Sequence, residues 1–261
     1  YIYINNNIPE FKSNLKTSNS FELYSDLDEL GRCGVAISNI GYDLMPTKER
    51  ESIASIKPSG WHTIRYDDLI AQQWRDYSDD EIEAIMNLGI DPDVLRQMGV
   101  FVELVQDHYE YSFPVTWKGL VCDIRTYRPG CTPKVLSEPG AQTGLVVPFD
   151  LWQASDKRRW TLLCAGEKDM AVARSRGFNA ITLTGGEVST PLSPEWFSGR
   201  KIAIVYDNDF AGINGANKVA TVIAPYAAEV RVVTKFHEDF GKPNTKEDIT
   251  DWFVKYGGTK E

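Results

Sequence analysis

From residue 160 onward, short apolar runs alternate with helical patterns, and that alternation fixes the fold class. Residues 160–164, 180–183, 202–206 and 229–234 read as strands, and 168–176, 211–223 and 249–256 as helices. Strands separated by helices call for a parallel sheet with right-handed crossovers. Such sheets carry function at the carboxyl ends of their strands. Here those ends are acidic: Glu167 and Asp169 follow the first run, Asp207 and Asp209 the third, and Glu247, Asp248 and Asp251 the last.

The pair in Asp207-Asn208-Asp209 is the most telling. Two carboxylates one residue apart repel each other, and at a strand end they make most sense around a shared hard cation such as Mg²⁺. Asp169 and Asp248 also have a plainer explanation, because acids at helix N-termini complement the macrodipole. The loop Thr184-Gly185-Gly186 follows the second run and permits close backbone approach.

Upstream the pattern changes. Residues 1–66 are turn-rich, with Asn5-Asn6-Asn7 and Thr17-Ser18-Asn19-Ser20 between short β-like pieces. Residues 67–110 read as a helical connector. Ser78-Asp79-Asp80-Glu81 has the form of a capping box, Gly89 ends that helix, and Asp91-Pro92-Asp93 opens another. Residues 111–159 read as a small mixed subdomain with strands at 111–115, 120–125 and 144–150 and a turn at Lys118-Gly119. It is basic at Arg125, Arg128 and Lys134. Ordinary surface charge is the competing account of those three.

Net charge is −9 over 261 residues, which argues against charge-driven, sequence-independent binding of nucleic acid. No apolar stretch approaches the roughly twenty residues of a membrane span. Cys33, Cys122, Cys131 and Cys164 form no C-x-x-C, so a zinc ribbon is not expected and a reducing compartment is. The chain opens on Tyr1 rather than Met, as expected of a processed or engineered chain.

Taken together, Leu162-Leu163-Cys164-Ala165-Gly166-Glu167-Lys168-Asp169, the Thr184-Gly185-Gly186 loop and Asp207-Asn208-Asp209-Phe210-Ala211-Gly212 resemble the Toprim domain of bacterial and phage DNA primases. The likeness extends back to about residue 110. It implies an α/β fold: a Toprim-like parallel sheet flanked by helices (160–261), preceded by a small mixed α+β subdomain and an N-terminal β-rich segment. It further implies synthesis of short RNA primers from ribonucleoside triphosphates on a single-stranded DNA template, in the cytoplasm of a bacterial host. A replicative helicase is an implied partner, and no membrane is involved. Mg²⁺ or Mn²⁺ is the implied cofactor, held by Asp207, Asp209, Glu167, Asp169 and Asp248. Arg125, Arg128, Lys134, Gly185 and Gly186 are the implied nucleotide and nucleic-acid contacts, with Glu167 and Lys134 as catalytic candidates.

One position departs from the pattern. The family motif is Glu-Gly-Glu-x-Asp, and Ala165 stands where its first glutamate belongs. A methyl group neither holds a cation nor moves a proton, so the chain is expected to be impaired. A Toprim metal-dependent nuclease and an inactive interaction module are the alternatives. Separately, Tyr24-Ser25-Asp26-Leu27-Asp28-Glu29-Leu30-Gly31-Arg32-Cys33-Gly34 and Lys57-Pro58-Ser59-Gly60-Trp61-His62 resemble the opening of secreted bacterial DNA/RNA non-specific nucleases. That family's catalytic histidine segment does not follow, so residues 1–66 are expected to carry no nuclease site.

Overall fold

The computed structural model describes residues 76–117, 120–233 and 247–258. The nuclease-like stretch 1–66 and the turn at Lys118-Gly119 lie outside them. Helix α1 (Asp79–Asn87) starts as its capping box requires: the Ser78 hydroxyl accepts from the Glu81 N–H at 3.3 Å, and the Glu81 carboxylate accepts from the Ser78 N–H at 2.8 Å. Helix α2 (Pro92–Gln97) is capped by Asp91 with Pro92 in its first turn.

The stretch 67–110 is not helical throughout. Residues Phe101–Val105 form β1 and pair with β2 (His108–Trp117) in a hairpin. Val100-Phe101-Val102 favours strand, and Gln106, at φ 57°, takes the left-handed conformation that a tight two-residue turn needs. Strand β3 (Leu120–Tyr127) and the short β4 (Val135–Leu136) complete a four-stranded antiparallel sheet in the order β1-β2-β3-β4.

The second sheet has the order β5-β7-β6-β8-β9. Its strands are β5 (Val146–Val147), β6 (Trp160–Cys164), β7 (Asn179–Leu183), β8 (Lys201–Val205) and β9 (Glu229–Val232). The last four are mutually parallel, and β5 joins the edge antiparallel to β7. The expected strand over 144–150 shrinks to two residues because Pro148 has no N–H for a ladder, and α3 (Phe149–Gln153) begins directly after it. Helices α4 (Glu167–Ser175) and α5 (Phe210–Ile223) supply crossovers. The link from β7 to β8 contains only two short 3₁₀ turns, Gly186–Val188 and Pro194–Phe197. The expected final helix is irregular: Asp251–Lys255 is a wide π-type turn. The fold is α/β, a Toprim-like parallel sheet with helices, preceded by a small mixed subdomain.

Residues Met170, Ala171, Val172 and Ala173 of α4 are all fully buried. One apolar cluster joins them to Tyr111, Phe113 and Val115 of β2 and to Ala180 and Val205 of the second sheet. Helix α4 is thus enclosed between the two sheets, which fixes where its N-terminus points.

Asp123 on β3 is fully buried. Its Oδ1 accepts from the Ile124 and Glu138 N–H groups at 2.7 and 3.3 Å, while Oδ2 has no partner. Burial outweighs these bonds and raises the carboxyl to about 6. The folded state therefore holds this proton more tightly than the unfolded chain. Ionised Asp123 costs stability above pH 6, and the cost fades as pH falls toward the unfolded value. Asp123→Asn keeps the acceptor and removes the charge. We expect it to gain about 2 kcal/mol at pH 8 in urea unfolding, with the gain shrinking at pH 5; equal gains at both pH values would contradict this.

Candidate functional site

The carboxyl ends of β6 and β8 lie side by side, because these strands are hydrogen-bonded neighbours with Cys164 paired to Val205. The loops leaving the two strands are therefore brought together. After β6, Ala165 and Gly166 lead into α4, whose first turn carries Glu167, Lys168 and Asp169. After β8 come Tyr206, Asp207, Asn208 and Asp209, and Asp209 caps α5 by accepting from the Gly212 N–H at 2.9 Å. The C-terminal segment is drawn in by the Asn208 N–H, which donates to the Glu247 carbonyl at 2.9 Å. That bond delivers Asp248, whose Oδ1 accepts from the Asp251 N–H at 2.8 Å.

The result is a crowd of carboxylates. Burial raises the Asp207 carboxyl to about 8, helped by the charges of Asp169, Glu187, Asp248 and Asp209. Burial and the neighbouring Asp248 raise Asp169 to about 6, against the pull of Lys168, of the Thr250 hydroxyl donating at 2.5 Å, and of Lys134. Glu187, in the turn after β7, is raised by burial and by Asp209 and Asp169. Its Oε2 is buried without a hydrogen-bond partner. Sequence reading missed Glu187: it sits in a glycine loop with no periodic pattern, and only the neighbouring Gly185-Gly186 pointed to that loop.

The glycine loop is tightly built. Gly185 and Gly186 have φ of 87° and 60°, and a Cβ on Gly186 would lie 2.8 Å from the Ala165 carbonyl oxygen. Helix α5 packs onto the same loop: a Cβ on Gly215 would meet the Glu187 carbonyl oxygen at 2.1 Å, and one on Gly212 the Asp207 carbonyl oxygen at 2.3 Å. Ala165 itself is partly buried against the apolar cluster beneath β8 and α5.

The remaining expected residues divide. Glu167 does not stand with the aspartates. Its carboxylate accepts from Arg125 Nε at 2.6 Å, with Glu167 2% and Arg125 9% exposed, and the same guanidinium donates to the Ser137 hydroxyl. Glu167 and Arg125 thus neutralise each other across the junction of β3 and α4, because two buried charges are held most cheaply as a pair. Arg128 donates to the Pro133 carbonyl at 2.7 Å and lies 4.0 Å from Glu110. Lys134 is exposed, with its ammonium 5.5 Å from the centre of the Tyr127 ring, and its charge reaches Asp169.

The donor set suits a hard divalent cation. It consists of carboxylate oxygens, one of them orphaned, in a place where burial and neighbouring negative charge already suppress ionisation. Among the described residues, no three His, Cys, Asp or Glu side chains converge closely enough to enclose a metal ion, so closing around one requires side-chain movement. Nor, among the described residues, is any helix long and apolar enough to cross a membrane.

No protein-family model matches the chain, and no curated protein matches it. Solved structures do match the chain, two primases among them. One is the primase fragment of the bacteriophage T7 primase-helicase protein, at 14% identity and a TM-score of 0.48, covering 66% of this chain and 69% of that one. The other is the Aquifex aeolicus primase, zinc-binding and RNA polymerase domains, at 16% identity and a TM-score of 0.51, covering 69% of this chain. The chain spans about half the length of that protein, 53%. At this identity the Aquifex likeness establishes a primase-like fold.

The buried pair makes a stability prediction. Arg125→Met leaves Glu167 buried and uncompensated, so we expect a loss of about 3–5 kcal/mol in denaturant unfolding. The double variant Arg125→Met/Glu167→Met should recover most of it. A loss under about 1 kcal/mol for the single variant would show that the pair does not hold α4 in place.

Proposed function

We propose that this chain is a DNA primase core. In this reading it joins ribonucleoside triphosphates into short RNA primers on a single-stranded DNA template, in a bacterial cytoplasm and alongside a replicative helicase. The observation that carries the reading is the gathering of Asp169, Asp207, Asp209, Glu187 and Asp248 at the carboxyl ends of adjacent parallel strands in a primase-like fold. The phage-type motifs around Ala165 and Asp207 give it direction.

Mg²⁺ or Mn²⁺ would be held by Asp207 with Asp209 and Glu187, while Asp169 and Asp248 complete the acidic wall. A cation held there would supply positive charge to the triphosphate and to the departing pyrophosphate. The chain's own residues do the rest. Asp209, fixed as the cap of α5, anchors one end of the carboxylate set. The Gly185-Gly186 turn, whose packing on the Ala165 carbonyl requires glycine, would bring backbone rather than side chains toward the phosphates. Lys134, exposed and electrostatically linked to Asp169, would meet phosphate charge. Arg125 acts by holding Glu167 and hence the start of α4.

Ala165 limits activity in this proposal, since the position offers neither a proton acceptor nor a ligand. A metal-dependent nuclease would use the same acids and is the second reading, and an inactive interaction module is the third. We expect Ala165→Glu to make labelled primers on single-stranded DNA at least about a hundredfold faster than the parent chain, the scale of one general acid–base group. Adding Asp207→Asn to that variant should abolish the product. Ala165→Glu that yields no primers would overturn the primase reading, and metal-dependent cleavage of the DNA in its place would favour the nuclease.

A further inference from the structure

Lys168 is out of place by local rules. It is the second residue of α4, where the helix macrodipole disfavours a cation, and its side chain is only 16% exposed. Surface lysines keep the ammonium in water; this one does not. Its Nζ lies 3.0 Å from Asp248 Oδ2 and 3.5 Å from Asp169 Oδ1. Asp248 comes from the far end of the chain, so the contact is built by the tertiary fold and not by helix geometry.

Both partners of the lysine are oriented by other donors. Thr250 holds Asp169, and the Asp251 N–H holds Asp248. The two carboxylates therefore flank the ammonium from fixed positions. The other three acids differ. Among the described residues, Asp207, Asp209 and Glu187 form no ion pair with a lysine or arginine, and Glu187 Oε2 has no partner. Among the described residues, a lysine is thus supplied to one half of the acidic wall and none to the other.

We infer that Lys168 is a resident cation of the site: its ammonium fills the gap between Asp169 and Asp248 and bars a divalent ion from that pair, leaving a single ion to enter on the Asp207 side. A second divalent ion between Asp169 and Asp248 would have to share the gap with a like charge a few ångströms away, which Coulomb repulsion opposes. The inference rests on the metal reading above and refines it, making Lys168 the residue that sets how many ions the site takes.

The experiment is an equilibrium Mn²⁺ titration of the whole chain at pH 7.5, without nucleotide or DNA, following the free-ion electron paramagnetic resonance signal. The parent should bind about one ion, and Lys168→Met, uncharged and of similar length, about two. Lys168→Gln serves if the Met variant does not fold, with circular dichroism as the check, and should behave alike. Equal stoichiometry and affinity in the parent and the folded variant would overturn the inference while leaving the metal reading standing. Weaker binding by the variant would overturn it too, since a merely structural lysine gives that result. No Mn²⁺ bound by any of the proteins would overturn both.

Discussion

The ion pair between Arg125 and Glu167 is the contact on which the arrangement of this molecule turns. It joins β3 of the antiparallel sheet to the first residue of α4, the helix enclosed between the two sheets. With residues 170–173 fully buried, α4 has little freedom to rotate, and the pair fixes the end that faces the strand termini. Asp169 and Lys168 are therefore presented to the acidic wall from a rigid base. The small subdomain is then more than a neighbour of the parallel sheet, because it sets the aim of the helix that supplies half of the candidate site.

A second constraint is electrostatic. Hydrogen-bonded parallel strands that both end in acids must bring like charges together, and burial makes the repulsion worse. The chain relieves this in three ways: Glu167 is withdrawn onto an arginine, Asp169 and Asp248 share a lysine, and Asp207 retains its proton to unusually high pH. The first two are permanent. The third is provisional, and it marks Asp207 as the group most in need of an external cation.

Much of this was legible in the sequence. The strands at 160–164 and 202–206 were readable because buried parallel strands are continuous apolar runs closed by polar residues, and the capping box of α1 is a purely local device. Local reading failed where long-range contacts decide. The β1–β2 hairpin lay hidden in a stretch judged by the helices before it. The arginine that pairs with Glu167 lies 42 residues away on another sheet, beyond the reach of any local pattern. Glu187 carried no signal, since an acid in a glycine loop is unremarkable until a helix is packed against it.

That packing has an evolutionary consequence. Gly212 and Gly215 lie one turn apart on α5, and each is bare because another backbone occupies the space a side chain would need: that of Asp207 for the first, that of Glu187 for the second. The two glycines hold both carboxylate-bearing loops against a single helix. Residues 185–188 and 207–215 are thus one mechanical unit built from two stretches of chain. Recombination that exchanged one stretch without the other would bring mismatched backbones together. Drift in this protein should therefore be freest on the outer face of α5 and slowest where no side chain exists to be altered.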